Sequence, residues 1–195
     1  MKDGKLDFAA ASEILSTRPW LTDDLDVWLE RIMKGPAYRR AVLFVDNSGA
    51  DLILGIIPFV LDLLRMGTSV VIATNTEPVL NDVTHKELRA LMGNLTNAVP
   101  ELGQALGDGK LQLAASGMNT PCLDLLRIES KLADLCVGAD LLLIEGMGRT
   151  IHTNLMASFS IDCLKLACIK SGKIAELLGG RIYDSICKFE IAEAK

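Results

Sequence analysis

The sequence contains few of the residues that mark zinc sites, disulfide frameworks or membrane spans. It has two histidines and five cysteines, an odd number of thiols with no C-x-x-C pair. Zinc therefore fits poorly, and the thiols are expected to be reduced, as in a cytoplasmic protein. The most apolar run, residues 52–64, is shorter than the ~18 residues that a membrane span requires, and it contains Asp62. The polar start of the chain is unlike a signal peptide.

The chain also lacks an excess of positive charge. It carries 20 lysines and arginines against 25 acidic residues, a net charge of −5. This balance argues against nucleic acid or an anionic membrane as a partner, although an acidic protein can still bind phosphate locally through a metal or backbone N–H groups. With 195 residues, of which 50% are hydrophobic, the composition predicts one ordered globular domain. It leaves the oligomeric state open.

Apolar strand-like runs alternate with helical patterns along the chain. Strands are predicted at residues 41–46, 69–74, 110–115, 140–144, 164–169 and 181–189. Helices are predicted at residues 8–15, 25–32, 50–66, 84–95, 123–137 and 173–178, with a loop at 103–109. This alternation predicts an α/β protein: a three-layer α/β/α fold with a mostly parallel, doubly wound sheet of about six strands.

A polar residue follows the carboxyl end of almost every predicted strand. These residues are Asp46, Asn75, Ser116, Glu145 and Lys170. Because the carboxyl ends of parallel strands meet at one edge of a sheet, we expect all five at a common rim. Open α/β sheets bind their ligands at such a rim.

Asp46, Asn47 and Asp82 are predicted to be metal ligands. They offer two carboxylates and a carboxamide oxygen, which hard divalent cations prefer. Taken singly, Asp46 and Asn47 also fit a turn that caps a helix, and Asp82 fits a cap for the helix near Thr84. Their joint position near the ends of two strands favours the metal site.

The remaining rim residues suggest a phosphate site. Lys170 ends a buried strand, where a bound phosphate or Glu145 would neutralise its ammonium group, although an exposed lysine would also fit the sequence. Gly146 and Gly148 allow backbone N–H groups to approach an anion. They do not form a dinucleotide fingerprint, because Ile151 occupies the position of the third glycine. Ser48, beside the predicted metal ligands, is another predicted phosphate contact.

Several motifs resemble the metal-dependent damage-control phosphatases, a family formerly called a domain of unknown function. The resemblance covers residues 12–190 and points to the branch with stand-alone plant proteins and the phosphatase domain of a pantothenate-kinase-like protein. The motifs that carry it are Arg18–Trp20, Phe44–Asp51, Leu80–Val83, Ile144–Arg149, Leu164–Lys170 and Gly179–Arg181.

The resemblance implies an α/β/α enzyme that uses Mg²⁺, Mn²⁺, Co²⁺ or Ni²⁺, held by an Asp-Asn pair and a later Asp. It implies hydrolysis of 4′-phosphopantetheine and its oxidised forms, such as the sulfonate. Glu145, Asn75, Lys170 and Asn154 match polar residues expected around the phosphate, with Asp46, Lys170 and Glu145 as catalytic candidates. Asp46 would either attack the phosphorus directly or orient a metal-bound water, and the sequence leaves both routes open.

The chain departs from the family at its beginning. Relatives usually carry a substantial helical region before the Arg18–Trp20 stretch, where this chain has some seventeen residues. Residues 1–40 are therefore expected to be the remnant of a helical region, and residues 41–195 the phosphatase domain. The alternative function is a truncated, catalytically weak module that binds a phosphorylated metabolite or a partner protein.

Overall fold

The computed structural model describes residues 15–192 and contains a seven-stranded sheet. The strands pair in the order β1-β7-β6-β5-β2-β3-β4. Their bounds are β1 Thr22–Asp23, β2 Arg40–Phe44, β3 Ser69–Thr74, β4 Leu111–Ala115, β5 Leu141–Glu145, β6 Asp162–Cys168 and β7 Ser185–Glu190. The helix predicted at residues 8–15 lies outside the described region, apart from Leu15.

Helices cover both faces of this sheet. The α-helices of the described region are α1 Leu25–Lys34, α2 Ile57–Arg65, α3 His85–Ala98, α4 Pro100–Gly107, α5 Ser130–Cys136 and α6 Gly172–Leu178. Two π-helical segments, Asp51–Ile56 and Met147–His152, and a 3₁₀ turn at Leu125–Arg127 complete the regular structure. Within residues 15–192, no helix has the length and apolar character needed to cross a membrane.

The predicted α/β class and mostly parallel sheet are confirmed. The five strands β2 to β6 pair with one another in parallel, so their carboxyl ends lie at one edge of the sheet. The sheet has one strand more than predicted, because Thr22–Asp23 adds a short edge strand beside β7. Strand β7 runs antiparallel to β6, and it begins at Ser185 rather than at the predicted Arg181.

Three predicted segments differ from the structure. The predicted loop at residues 103–109 was wrong, because α4 continues to Gly107 and buries Leu102 and Ala105 against the core. The predicted helix at 123–137 is divided into the 3₁₀ turn and α5. The predicted helix at 50–66 begins as a π-helix and becomes α-helical at Ile57, next to Pro58, whose missing N–H removes one backbone hydrogen bond.

The apolar core lies on both faces of the sheet because consecutive residues of the central strands are apolar. In β2 and the residue after it, Ala41, Leu43 and Val45 pack on the face covered by α1 to α4. Val42 and Phe44 pack on the opposite face with Leu132 of α5. A strand buried on both sides reads as a continuous apolar run, which is why this strand could be predicted from the sequence.

A fully buried lysine fixes the polypeptide beside β6. Lys165 is 0% exposed, and its ammonium donates hydrogen bonds to Leu155 O at 3.3 Å, to Ala157 O at 2.5 Å and to the Glu190 carboxylate. Lys188 contacts the same carboxylate and Leu155 O, each at 3.0 Å. One glutamate therefore balances two lysines, and together they hold the loop at residues 155–157 against the sheet.

Replacing Glu190 with glutamine is expected to lower the free energy of unfolding by about 2 kcal/mol, because Lys165 and Lys188 lose their counter-charge. Chemical denaturation at neutral pH measures this difference. The exposed Glu30, which pairs with Lys34 at 3.1 Å, supplies a matched control. Glu30→Gln should change the free energy of unfolding by less than about 0.5 kcal/mol.

The effect of the Glu190 substitution should depend on pH. Burial raises the pKa of Glu190, but hydrogen bonds from Lys165 and Lys188 outweigh burial and leave this pKa below its usual range. A depressed pKa stabilises the fold above the unfolded pKa, and this contribution is lost as pH falls through the folded pKa. The stability difference between wild type and Glu190→Gln should therefore shrink below about pH 4. A difference that persists undiminished into acid would contradict this account.

Candidate active site

The candidate site lies where the strand order of the sheet reverses. The chain adds β3 and β4 on one side of β2 and then returns to add β5 and β6 on the other side. Such a switch point leaves a crevice beyond the carboxyl ends of the two central strands. Here the Asp46 N–H, just past β2, donates a hydrogen bond of 2.7 Å to Glu145 Oε2, at the end of β5. Asp46 and Glu145 therefore lie together at this crevice.

Asp82 reaches the same place from the loop after β3. The Val83 N–H donates to Asp46 O at 2.8 Å, and Asn47 and Asp82 form an isolated antiparallel bridge. These backbone contacts bring the Asp46 and Asp82 side chains to the same nitrogen of Arg149, with 11% and 2% of their side-chain surfaces exposed. Two carboxyl groups, 36 positions apart in sequence, thus form one buried acidic pair.

Burial controls the protonation of Asp46. Burial and the neighbouring Asp82 carboxyl together raise the pKa of Asp46 to about 7, against the opposing charge of the Arg149 guanidinium. Burial also raises the pKa of Glu145, against the opposing effect of the hydrogen bond from the Asp46 N–H. Asp46 can therefore hold or release a proton near neutral pH.

Arg149 joins the two carboxylates to Asn75. Its Nη1 donates to Asp46 Oδ1 at 2.8 Å and to Asp82 Oδ2 at 2.9 Å, while Nη2 donates to Asn75 Oδ1 at 3.0 Å. Asn75 Nδ2 also donates to Asp82 Oδ2 at 3.1 Å. Arg149 is 3% exposed, so this guanidinium is an internal part of the site.

Asn47 lies beside the acidic pair, but its side chain has other partners. Its Nδ2 donates to Asp51 Oδ2, and its Oδ1 accepts a hydrogen bond from Asn81 Nδ2, both at 2.6 Å. Among residues 15–192, no three histidine, cysteine or acidic side chains are grouped so that they could hold a metal by themselves. The donors at this position are instead two carboxylates and a neighbouring carboxamide. This all-oxygen set fits a hard divalent cation.

Gly146 is required for the close approach of β5 to Asp46. It has φ +107° and ψ 152°, a conformation essentially restricted to glycine. A Cβ atom at this position would overlap the Asp46 carboxylate. At Gly148, a Cβ atom would overlap the backbone oxygen of Pro121, so this glycine allows the loop before α5 to pack here.

The other predicted phosphate contacts lie in different surroundings. Lys170 is exposed, and its charge weakly opposes the rise in the pKa of Glu145 that burial causes. Ser48 is exposed and donates to Asn81 O at 3.0 Å. Asn154 is buried, and its amide nitrogen donates to Arg149 O, Leu123 O and Thr153 Oγ1. Ser116 Oγ accepts a hydrogen bond from the Met118 N–H in the turn after β4.

Arg149 is central to the site but was not among the predicted site residues. Its backbone belongs to the π-helical segment Met147–His152, which directs an arginine inward immediately after two glycines. The pattern Gly-Met-Gly-Arg was noted for its glycines, and its arginine could equally have been an exposed residue. The available signal was that two carboxylates expected together in a buried crevice require a cation.

A cavity of about 300 Å³ opens beside Glu145. It is mainly apolar, with Asp51 and Glu145 as its acidic residues. The residues that line it are Asp51, Gly55, Ile56, Phe59, Leu143, Glu145 and Leu166. The candidate site therefore has apolar space next to Glu145.

Comparison with known families identifies the domain that carries this site. The sequence pattern of the damage-control phosphatase ARMT1-like domain matches residues 1–186. The chain belongs to this family. The resemblance found in the motifs is thereby confirmed, and the acidic pair with Arg149 lies within the matched part of this damage-control phosphatase domain.

Curated relatives of this damage-control phosphatase domain come from plants and a mammal. A damage-control phosphatase of Arabidopsis thaliana is 45% identical over 194 residues, covering 96% of this chain and 50% of the relative. A pantothenate kinase 2 of rice is 43% identical, covering 89% of this chain and 22% of the relative. A mouse 4′-phosphopantetheine phosphatase is 35% identical, covering 97% of this chain and 29% of the relative. The chain thus spans half the length of the Arabidopsis relative and less of the other two.

The fold also has a counterpart among solved structures. A DUF89 family protein from Pyrococcus horikoshii superimposes with a TM-score of 0.56 and 18% sequence identity. The match covers 94% of this chain and 66% of that protein. This likeness supports the α/β fold of the damage-control phosphatase domain.

Gly146→Ala should lower the free energy of unfolding by about 3 kcal/mol or more. The backbone conformation is strained for any residue with a Cβ atom, and this atom would also displace the Asp46 carboxylate. Gly109→Ala is the matched control, because Gly109 also has a positive φ, of +69°, but open space around it. The control should cost about 1 kcal/mol. Urea denaturation measures both variants, and equal losses would show that Gly146 is not needed for its contact with Asp46.

Proposed function

We propose that this protein is a divalent-metal-dependent phosphatase that hydrolyses the phosphomonoester of a small metabolite. The observation that carries the proposal is that two buried carboxylates, Asp46 and Asp82, converge on one nitrogen of Arg149 at the switch point of the sheet. Membership of the damage-control phosphatase family supports it. The predicted cytoplasmic location is kept as part of the proposal, as are Mg²⁺, Mn²⁺, Co²⁺ and Ni²⁺ as candidate ions.

Asp46 and Asp82 would hold the ion, and the Asn47 carboxamide oxygen would become a further ligand if it exchanged its Asn81 partner. When bound, a divalent cation polarises a phosphoryl oxygen and stabilises the negative charge that develops in the transition state. The buried, largely water-excluded position of both carboxylates strengthens their interaction with any cation that enters.

The protein's own residues divide the remaining tasks. Glu145 fixes the backbone of Asp46 through the 2.7 Å hydrogen bond from its N–H. The exposed Lys170 supplies a mobile positive charge at the rim, near Glu145, where it can pair with a phosphate dianion. Asp46, with a pKa raised to about 7, either attacks phosphorus or takes a proton from an attacking water. Trapping of a phosphoaspartate would distinguish direct attack from the water route.

Asp46→Asn and Asp82→Asn should each reduce kcat/KM by about 10²- to 10⁴-fold, because each removes a carboxylate from the ion site. Release of 4-nitrophenol from 4-nitrophenyl phosphate, with Mn²⁺ or Co²⁺ and with or without EDTA, measures this effect. Asp62→Asn is the matched control, because Asp62 is an exposed partner of Arg65 on α2. Its activity should equal that of the wild type.

Two outcomes of this assay oppose the proposal. Retention of divalent-dependent activity by Asp46→Asn would exclude Asp46 from the catalytic site. An absence of turnover in the wild type, together with thermal stabilisation by phosphorylated metabolites, would favour the alternative of a binding module.

The substrate class that we propose is 4′-phosphopantetheine and its oxidised derivatives, including the sulfonate. The apolar cavity beside Glu145 is suited to an extended, uncharged arm attached to the phosphate. A phosphatase screen should therefore give a kcat/KM at least about tenfold higher for these compounds than for sugar phosphates of similar charge. A preference for sugar phosphates would overturn this substrate assignment and leave the phosphatase proposal intact.

A further inference from the structure

Arg149 is the cation that balances the buried acidic pair. Both carboxylates accept hydrogen bonds from the same nitrogen, Nη1, at 2.8 and 2.9 Å. The second nitrogen, Nη2, is bound to Asn75 Oδ1 at 3.0 Å. A guanidinium has five N–H donors, and three of them are used in these contacts. Arg149 is thus committed to the acidic residues and Asn75.

The backbone of Arg149 is fixed by contacts that do not involve the carboxylates. Asn154 Nδ2 donates to Arg149 O at 2.7 Å and to Leu123 O at 3.0 Å. The neighbouring Thr150 is 0% exposed, and its hydroxyl donates to Ile144 O on β5 at 2.8 Å. Since these contacts hold Arg149 and the residue that follows it, the guanidinium is delivered to the crevice by the fold.

We propose that Arg149 is a positioning residue that serves as the internal counter-ion of Asp46 and Asp82. It holds the two carboxylates together in the protein without a bound ion, so that the ion enters a preformed site. Its fixed positive charge also opposes the charge of an incoming divalent cation, which keeps ion binding weaker than two buried carboxylates alone would give. The effect of Arg149 on ion binding rests on the proposed metal dependence. Its role as the counter-ion of the two carboxylates does not.

Thermal melting in EDTA tests the counter-ion role without any metal. Arg149→Gln should lower Tm by about 6 °C or more, because it leaves two buried carboxyl groups without a cation. Arg149→Lys keeps the charge and should recover at least half of this loss. Arg181→Gln is the control, because Arg181 is a 90% exposed arginine, and its Tm should equal that of the wild type.

A double variant separates the charge of Arg149 from its packing. If Arg149 acts as a counter-ion, adding Asp82→Asn to Arg149→Gln removes one of the unbalanced carboxylates and should raise Tm above that of Arg149→Gln alone. If Arg149 merely fills space, the second substitution should lower Tm further. This comparison also serves if Arg149→Gln folds poorly, because the double variant is expected to fold better.

Melting with saturating MnCl₂ tests the effect on ion binding. The rise in Tm caused by Mn²⁺ should be larger in Arg149→Gln than in the wild type, because the ion replaces the missing positive charge. An equal or smaller rise would overturn the proposed opposition between Arg149 and the ion. If Mn²⁺ fails to raise Tm in any variant, the proposed metal dependence fails, and the EDTA results still decide the counter-ion role. Equal Tm values for Arg149→Gln and the wild type in EDTA would overturn that role.

Discussion

Two carboxyl groups buried side by side around one arginine nitrogen impose the main constraint on this structure. Asp46 and Asp82 would repel each other if both were ionised, and neither is well solvated. The fold meets this constraint with a guanidinium from Arg149, and it omits a side chain at Gly146, where one would overlap the Asp46 carboxylate. The surroundings of the site are therefore shaped by the electrostatics of one acidic pair.

The sheet topology and the two π-helical segments deliver these groups to one place. The segments Asp51–Ile56 and Met147–His152 follow β2 and β5, the neighbouring strands on either side of the switch point. A π-helical turn is wider than an α-helical turn and occurs often at functional sites. Here the first segment begins with Asp51, which binds Asn47, and the second carries Arg149. The irregular turns thus adjoin the part of the structure where chemistry is proposed.

The secondary-structure elements that could be predicted from the sequence are those determined by the residues of their own segment. Strand β3 was predicted at its observed bounds because Ser69–Thr74 is mostly β-branched and apolar, and the rim could be predicted because parallel strands share an edge. The predicted loop at 103–109 was wrong because its glycines suggested a turn, whereas Leu102 and Ala105 gain enough by burial to extend a helix. The role of Arg149 depends on a π-helical turn and on partners 67 to 103 positions away, which no local pattern encodes.

The edge of the sheet beyond β6 is completed by pieces from distant parts of the chain. Strand β1 pairs with β7, and Asp24 Oδ2 accepts a hydrogen bond from the Phe189 N–H, 165 positions later. Ribosomal synthesis proceeds from the amino end, so the segment around Thr22–Asp23 is made long before its neighbour exists. Until β7 has emerged, this segment and the outer edge of β6 present unsatisfied backbone groups to the cell. Nascent chains interrupted before that point would be natural clients for chaperones.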